Sequence, residues 1–314
     1  MTNSSEGPLG PFRLGAYFSE RVWGRLSLAP WYGNAFTQPV GEAWLTGEQC
    51  VVETGPHAGK SLAQMEEQFR GALLGEGLEH FPLLVKLLFP QDRLSVQVHP
   101  DDAHAAALGG DARGKTECWY VLEARPGASL SLGLKPGTTA EMVRGALGRE
   151  AFEALLHEEP VEVGDMIYVE AGTVHAIGPG LVLLEVQQMS DSTFRLYDYG
   201  RPRELHLEAG MKVIKIENGS RKIRPQKNGV CTKLIEEKYF AVERYDIAMG
   251  SSQSLRGGLT PDCVVGLAGR GVVVQGETRL DLPVGQAIVI PACCGEYAVE
   301  GEGSFVRCAV PEVL

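Results

Sequence analysis

The chain has 314 residues, enough for a substantial core and for more than one folding unit. Its hydrophobic content of 44% and charged content of 22% are those of an ordinary globular protein, and no apolar run reaches the roughly 20 residues that span a bilayer. A net charge of −11 excludes the basic stripe of a nucleic-acid binder, and it means that an anionic ligand must be drawn in by a local group of cations.

The opening residues combine no basic stretch with a long apolar one, so no signal peptide is expected. The seven cysteines (Cys50, Cys118, Cys231, Cys263, Cys293, Cys294 and Cys308) are odd in number, scattered and without C-x-x-C spacing. That pattern predicts free thiols and a cytoplasmic protein. Thirty-nine glycines and eighteen prolines punctuate short alternating runs, the texture of a mainly β protein.

In chain order, a helix is predicted over 61–78, opened by the capping box Ser61-x-x-Gln64. Strands follow at 83–89, 95–98, 117–122 and 129–134. A second helix is predicted over 139–157, opened by Thr138-x-x-Glu141, and then strands at 166–169, 181–186 and 193–197. Both helices, near 61–80 and 139–157, read as covers or insertions on a β scaffold. Residues 217–229 are polar, basic and turn-rich, which predicts a division into a first unit, 1–225, and a second, 226–314. The second unit repeats the short-strand pattern at 262–267, 271–274, 287–290 and 304–310. It contains no histidine, so it is expected to lack metal ligands.

Three segments carry chemistry. In Ser95-Val96-Gln97-Val98-His99-Pro100, an extended backbone puts Gln97 and His99 on one face. In Lys115-Thr116-Glu117-Cys118-Trp119-Tyr120-Val121, Glu117 and Trp119 share a face with Val121. The third segment runs from Gly164 through Glu170 and Gly172 to His175, a strand feeding a turn that presents one imidazole. Two imidazoles, a carboxylate and an amide oxygen predict one divalent-metal site in a small antiparallel β-barrel. Such a set suits Zn²⁺ and, less selectively, Fe²⁺, Mn²⁺ or Co²⁺. His57, His80, His104, His157 and His206 are read as ordinary polar residues, His104 lying at a solvated helix start.

Lys86 interrupts the apolar run Leu83-Leu84-Val85-Lys86-Leu87-Leu88-Phe89, so it faces either solvent or a polar cavity. Arg201, in the turn Tyr197-Asp198-Tyr199-Gly200-Arg201, is a second candidate to offset an anion. Trp23 is either a pocket wall or a core residue.

The spacing Gly164-x5-Glu170-x-Gly172-x2-His175 resembles the second metal motif of cupins, and Gln97-x-His99 followed by Glu117 resembles the first with an expanded loop. Four longer stretches, Leu94-Ser-Val-Gln-Val-His-Pro-Asp-Asp102, Gly114-Lys-Thr-Glu-Cys-Trp-Tyr-Val121, Ala171-Gly-Thr-Val-His-Ala-Ile177 and Tyr197-Asp-Tyr-Gly-Arg201, resemble the type I phosphomannose isomerases. Val22-Trp23-Gly24 and Gly41-Glu42-Ala43-Trp44 add weaker support.

The resemblance implies a cupin (double-stranded β-helix, jelly-roll) catalytic domain with helical insertions, followed by a smaller cupin-like β-sandwich. It implies one zinc per chain on Gln97, His99, Glu117 and His175, a catalytic Arg195 ten residues after Glu185, and Lys115 in the active site. Cys118, Glu170 and Ala43 stand where methionine, proline and serine are frequent in the family.

The implied reaction interconverts mannose 6-phosphate and fructose 6-phosphate through a cis-enediol, with a small sugar phosphate as partner and neither nucleic acid nor membrane. Arg195 would stabilise the enediolate or bind phosphate, and Lys115, Glu185 and Asp191 remain alternative proton carriers. A nearby metal is expected to lower the Lys115 pKa. The other readings are an Fe²⁺ cupin dioxygenase and a non-catalytic sugar-binding cupin, from which Lys115 and Arg195 separate this chain. Sequence does not set the oligomeric state.

Overall fold

The computed structural model describes residues 9–109, 113–217 and 219–311. The first elements are strands β1 (Phe12–Leu14), β2 (Tyr17–Ser27) and β3 (Ala35–Trp44), helix α1 (Leu62–Leu74), strands β4 (Leu83–Leu88) and β5 (Val96–Val98), and helix α2 (Asp102–Leu108). Strands β6 (Glu117–Ala124) and β7 (Ser129–Leu134), helix α3 (Ala140–Ala146) and strands β8 (Leu156–Pro160), β9 (Met166–Val169) and β10 (His175–Ile177) follow. Next come β11 (Leu181–Gln188), β12 (Phe194–Tyr197), helix α4 (Leu207–Val213) and β13 (Arg221–Ile223). The remainder is strand: β14 (Gln226–Asn228), β15 (Cys231–Glu237), β16 (Phe240–Arg256), β17 (Asp262–Gln275), β18 (Thr278–Leu282), β19 (Ala287–Ile290) and β20 (Glu296–Ala309).

Among the described residues these strands form three sheets. A seven-stranded sheet runs β13-β9-β6-β11-β4-β3-β2 and faces a five-stranded sheet, β12-β5-β10-β7-β8. Trp119, Ile167 and Leu183 of the first meet Leu130, Leu132 and Ile177 of the second, filling the barrel between them. The outer face of the seven-stranded sheet is also apolar. Val85, Leu87, Tyr120 and Leu184 pack there against Phe240, Val242, Val265 and Val306 of the C-terminal sheet. Burial on both faces explains why 83–89 and 181–186 read as apolar runs broken only by Lys86 and Glu185, not as alternating ones. Each such side chain contributes roughly 1.5–3 kcal/mol relative to exposure, so the two units are held by one shared core.

Strand β13 belongs to the seven-stranded sheet and β14 to the eight-stranded C-terminal sheet. Strand β1 joins the latter, pairing Phe12 with Val289 and Leu14 with Ala287 at the C-terminal sheet's edge. A second apolar cluster, including Tyr245, Val264, Val273, Val299 and Phe305, fills the C-terminal unit. The two strands expected at 262–267 and 271–274 are one, β17, with a register shift between Gly266 and Ala268.

The capping box at Ser61 and Gln64 forms as expected, with α1 ending at Leu74. The predicted helix over 139–157 is corrected. Its N-cap is Thr139, whose hydroxyl accepts from the Met142 N–H, so Thr138 is not the cap. The backbone leaves helical geometry at Leu147, passes through a 3-10 turn over Glu150–Leu155 and becomes β8, which pairs with β7. The unpaired edge of β7 outweighs the helical spacing of the apolar residues there. Helix α2 starts at the N-cap Asp101, as read around His104, whereas α4 was not anticipated. The seven cysteines are free thiols. No described helix is long and apolar enough to cross a membrane.

Candidate metal centre and active site

Strand pairing sets two rows of side chains facing each other across the barrel. In the five-stranded sheet, Arg195 (β12), Gln97 (β5) and His175 (β10) are direct cross-strand partners. In the seven-stranded sheet, Trp119 (β6), Glu185 (β11), Lys86 (β4) and Trp44 (β3) form the corresponding row. Glu117 lies two residues before Trp119 on the same face, and His99 leaves the end of β5. Gly172 makes the turn before His175 at φ +91°, where a side chain is disfavoured, and its N–H donates to the His99 carbonyl over 2.8 Å. That bond ties the two histidine segments together.

His99 Nδ1 donates to the Ser192 carbonyl at 2.8 Å, and His175 Nδ1 donates to the Thr173 carbonyl at 2.9 Å. Both Nε2 atoms therefore carry lone pairs. His175 Nε2 lies 3.2 Å from Glu117 Oε1, a buried oxygen with no hydrogen-bond partner, and His99 Nε2 lies 3.6 Å from Glu117 Oε2. Two lone-pair atoms this close, with no proton to share, call for a cation between them. The ligand atoms of His99, Glu117 and His175 lie within 4.8 Å of one another. The Gln97 amide is 3.2 Å from His175 Nε2, so its oxygen reaches the same point by an amide rotation. The donor set fits a divalent transition metal.

Electrostatics keeps these donors free of protons. Burial pushes His99 down to about 4, helped by the Lys115 charge, and burial also lowers His175. Burial alone would raise Glu117, but Lys115 and the two histidines outweigh it and hold the carboxyl well below its ordinary range. Lys115 Nζ donates to Glu117 Oε2 at 2.5 Å and to His99 Nε2 at 3.0 Å. Burial by itself would lower the Lys115 pKa, yet Glu117, Glu185 and Asp191 together raise it.

Beside this centre opens a cavity of about 460 Å³, whose wall includes Trp23, Lys86, Gln97, Lys115, Glu185, Asp191 and Arg195. That volume is within the range of small-molecule sites. Lys86 is buried and points into it, 3.4 Å from Glu185 and 3.9 Å from Asp191, with Trp44 packed 4.6 Å from the ammonium. Trp119 Nε1 donates to the other Glu185 oxygen at 3.0 Å. Arg195 donates one N–H to the Glu204 carbonyl at 2.8 Å, while its buried Nε has no partner.

Arg201 is the sequence candidate that the structure leaves outside. Its guanidinium is held by Asp92 at 2.6 Å and Asp198 at 3.2 Å and lies over Tyr199, and it does not line the cavity. Arg203 lines it instead, held by both oxygens of Asp198 at 2.7 Å. Arg21 and Glu42, joined by two hydrogen bonds of 2.9 and 3.1 Å, complete the charged wall. Sequence reasoning missed these three. The available signal was Glu42, a charge placed between Gly41 and Ala43 in an apolar stretch.

The family profile for the phosphomannose isomerase type I catalytic domain matches residues 12–120, and that for the mannose-6-phosphate isomerase cupin domain matches residues 230–310. The mannose-6-phosphate isomerase ManA of Bacillus subtilis (strain 168) is 35% identical over 315 residues, spanning 93% of this chain and 96% of that protein. The chain belongs to the type I phosphomannose isomerase family. The mannose-6-phosphate isomerase of Streptococcus mutans serotype c is 32% identical, over 93% of this chain and 96% of its own. The crystal structure of the B. subtilis mannose 6-phosphate isomerase superposes with a TM-score of 0.85 at 27% identity, covering 96% of this chain and all of that one. The mainly β, cupin-like fold expected from sequence is thus the family's fold, and the dioxygenase and non-catalytic readings fall away. Type I phosphomannose isomerases are metal-dependent aldose–ketose isomerases, which agrees with the His99–Glu117–His175 cluster.

Proposed function

We propose that this chain interconverts mannose 6-phosphate and fructose 6-phosphate, with one divalent cation, zinc by preference, on Gln97, His99, Glu117 and His175. The observation that carries the reading is the pair of buried lone-pair atoms, Glu117 Oε1 and His175 Nε2, 3.2 Å apart beside a cavity lined by Lys86, Lys115, Arg195 and Arg203. When bound, the cation supplies Lewis acidity toward the sugar oxygens.

The chain's own groups do the rest. Isomerisation removes the proton from C2 and returns one to C1, while the hydroxyl proton passes between O2 and O1. Glu185 is the group we assign to the carbon-bound proton, since Trp119 and Lys86 hold its two oxygens and so fix the carboxylate's direction. Lys115, which its carboxylate neighbours keep charged, and Arg195 offset the negative charge of the cis-enediolate. Arg203 receives the phosphate, with Ser95 beside it and Trp23 as a wall that excludes water. Local cations at Arg195 and Arg203 are needed because the chain's overall charge of −11 repels an anion. Seven free thiols suit a cytoplasmic setting.

Comparison of mannose 6-phosphate with mannose tests this reading. Turnover that requires the phosphate supports it. Equal turnover of the unphosphorylated sugar, or oxygen consumption with bound iron, contradicts it.

A further inference from the structure

The C-terminal unit holds no ligand of the metal cluster, yet one of its turns reaches the segment that carries Lys115. Tyr239, between β15 and β16, donates its hydroxyl to Asp102 Oδ2 at 2.6 Å. The other oxygen of Asp102 accepts from the Gly114 N–H at 3.2 Å and from Gln188 Nε2 at 2.9 Å. Gln188 in turn accepts from the Thr116 N–H at 2.9 Å and donates its own N–H to the Thr116 carbonyl at 3.2 Å. The Lys115 N–H donates to the Pro100 carbonyl at 2.9 Å, two residues before Asp102. Three consecutive residues, Gly114, Lys115 and Thr116, are thereby fixed from one side by the Pro100–Asp102 segment and from the other by Gln188.

The approach is close. A Cβ on Gly114 would lie 2.5 Å from Asp102 Oδ1 and 2.6 Å from the Asp102 nitrogen, so only glycine permits the contact. Lys115 projects from the centre of this clamp to Glu117 and His99, with contacts of 2.5 and 3.0 Å. A shift of its backbone moves the ammonium relative to both.

We propose that Tyr239 is a positioning residue for Lys115, acting from the C-terminal unit through Asp102 and Gln188. The proposal rests on the assignment of Lys115 to the isomerase machinery. Charge-assisted bonds to a carboxylate are among the stronger ones. Asp102 and Tyr239 lie near the surface, so their removal costs the fold little while it releases the segment behind them.

The test uses the metal-loaded full chain and steady-state turnover of mannose 6-phosphate. Tyr239→Phe and Asp102→Ala are each expected to lower kcat roughly tenfold, with KM within about twofold of the parent. Bound metal per chain stays equal to the parent's, and Tm stays within about 2 °C. The double variant is no slower than Asp102→Ala, because both act through one link. Asp102→Asn, whose oxygen still accepts from Gly114 and Gln188 and whose amide N–H can donate to the Tyr239 hydroxyl, recovers most of the rate.

A Tyr239→Phe enzyme with the parent kcat overturns the proposal. So does a loss of Tm with kcat intact, which marks a purely structural contact, and so does a double variant whose losses multiply. Absence of turnover in the parent itself overturns the reading of the site, and the proposal with it. Turnover in the parent with unaltered variants overturns the proposal alone.

Discussion

Lys86 and Glu185 stand directly opposite each other across β4 and β11, with 3.4 Å between ammonium and carboxylate and both side chains withdrawn from solvent. Glu42, at 4.0 Å, and Asp191, at 3.9 Å, face the same ammonium. Arg21 also holds Glu42 and Asp191 is largely exposed, so Glu185 is the buried carboxylate that depends most on Lys86. Replacing it leaves buried charge without compensation, so Lys86→Met should lose about 3 kcal/mol of stability in urea denaturation. Glu185→Gln keeps the shape and removes the proton acceptor. It should cut kcat by about 100-fold or more, with less effect on stability than Lys86→Met, as steady-state assays and melts on the same samples will show.

Glu117 is the one anionic member of the metal cluster, and its Oε1 is the orphaned buried oxygen. Glu117→Gln should weaken metal binding by more than about 100-fold, since loss of mere outer-sphere partners already costs tenfold to that amount. Competition with a chromogenic chelator measures this directly. His175→Ala should behave alike, and neither variant should turn over substrate after dialysis against metal-free buffer.

Two arginines close in sequence differ in where they point. Arg203 lines the cavity, whereas Arg201 is held outside it by Asp92 and Asp198. Arg203→Ala should raise KM for mannose 6-phosphate by about tenfold, the value of one charge-assisted contact to phosphate. Arg201→Ala should change KM by no more than about twofold. The opposite order in the measured KM values would return the phosphate role to Arg201.

The pH response of the metal-free form follows from His99. Burial and Lys115 depress its pKa from 6.5 to about 4 in the folded chain. Between those values the unfolded chain takes up a proton that the folded chain refuses. The stability this group contributes is thus complete above pH 6.5 and is lost as pH falls toward 4. Urea midpoints of the metal-free protein should fall across that interval, and His99→Gln should flatten the decline.

The metal cluster was legible in sequence because each part is local. Strand parity fixes Gln97 against His99, one strand carries Glu117, and a glycine turn presents His175. Lys86 was legible for a related reason, as a charge that an apolar strand cannot bury without partners. Long-range partners were not legible. Nothing in the three residues Phe12–Leu14 announces a pairing with Ala287–Val289. The β2–β3 hairpin was hidden by its repeated register shifts, which break the alternation a strand prediction needs. Arg203 and Arg201 share a turn, and only the folding of that turn around Asp198 decides which enters the cavity. At 139–157 an apolar spacing fitted to one helix proved to serve a short helix, a 3-10 turn and, from Leu156, a sheet edge.

One bound cation at Gln97, His99, Glu117 and His175 is proposed to make this chain an isomerase of mannose 6-phosphate. The most direct measurement is coupled turnover of mannose 6-phosphate to fructose 6-phosphate on one sample, as purified, after exhaustive chelation, and after stoichiometric zinc is restored. The predicted result is activity, its loss, and its recovery. Full activity in the chelated sample, or none in the restored one, would contradict the account.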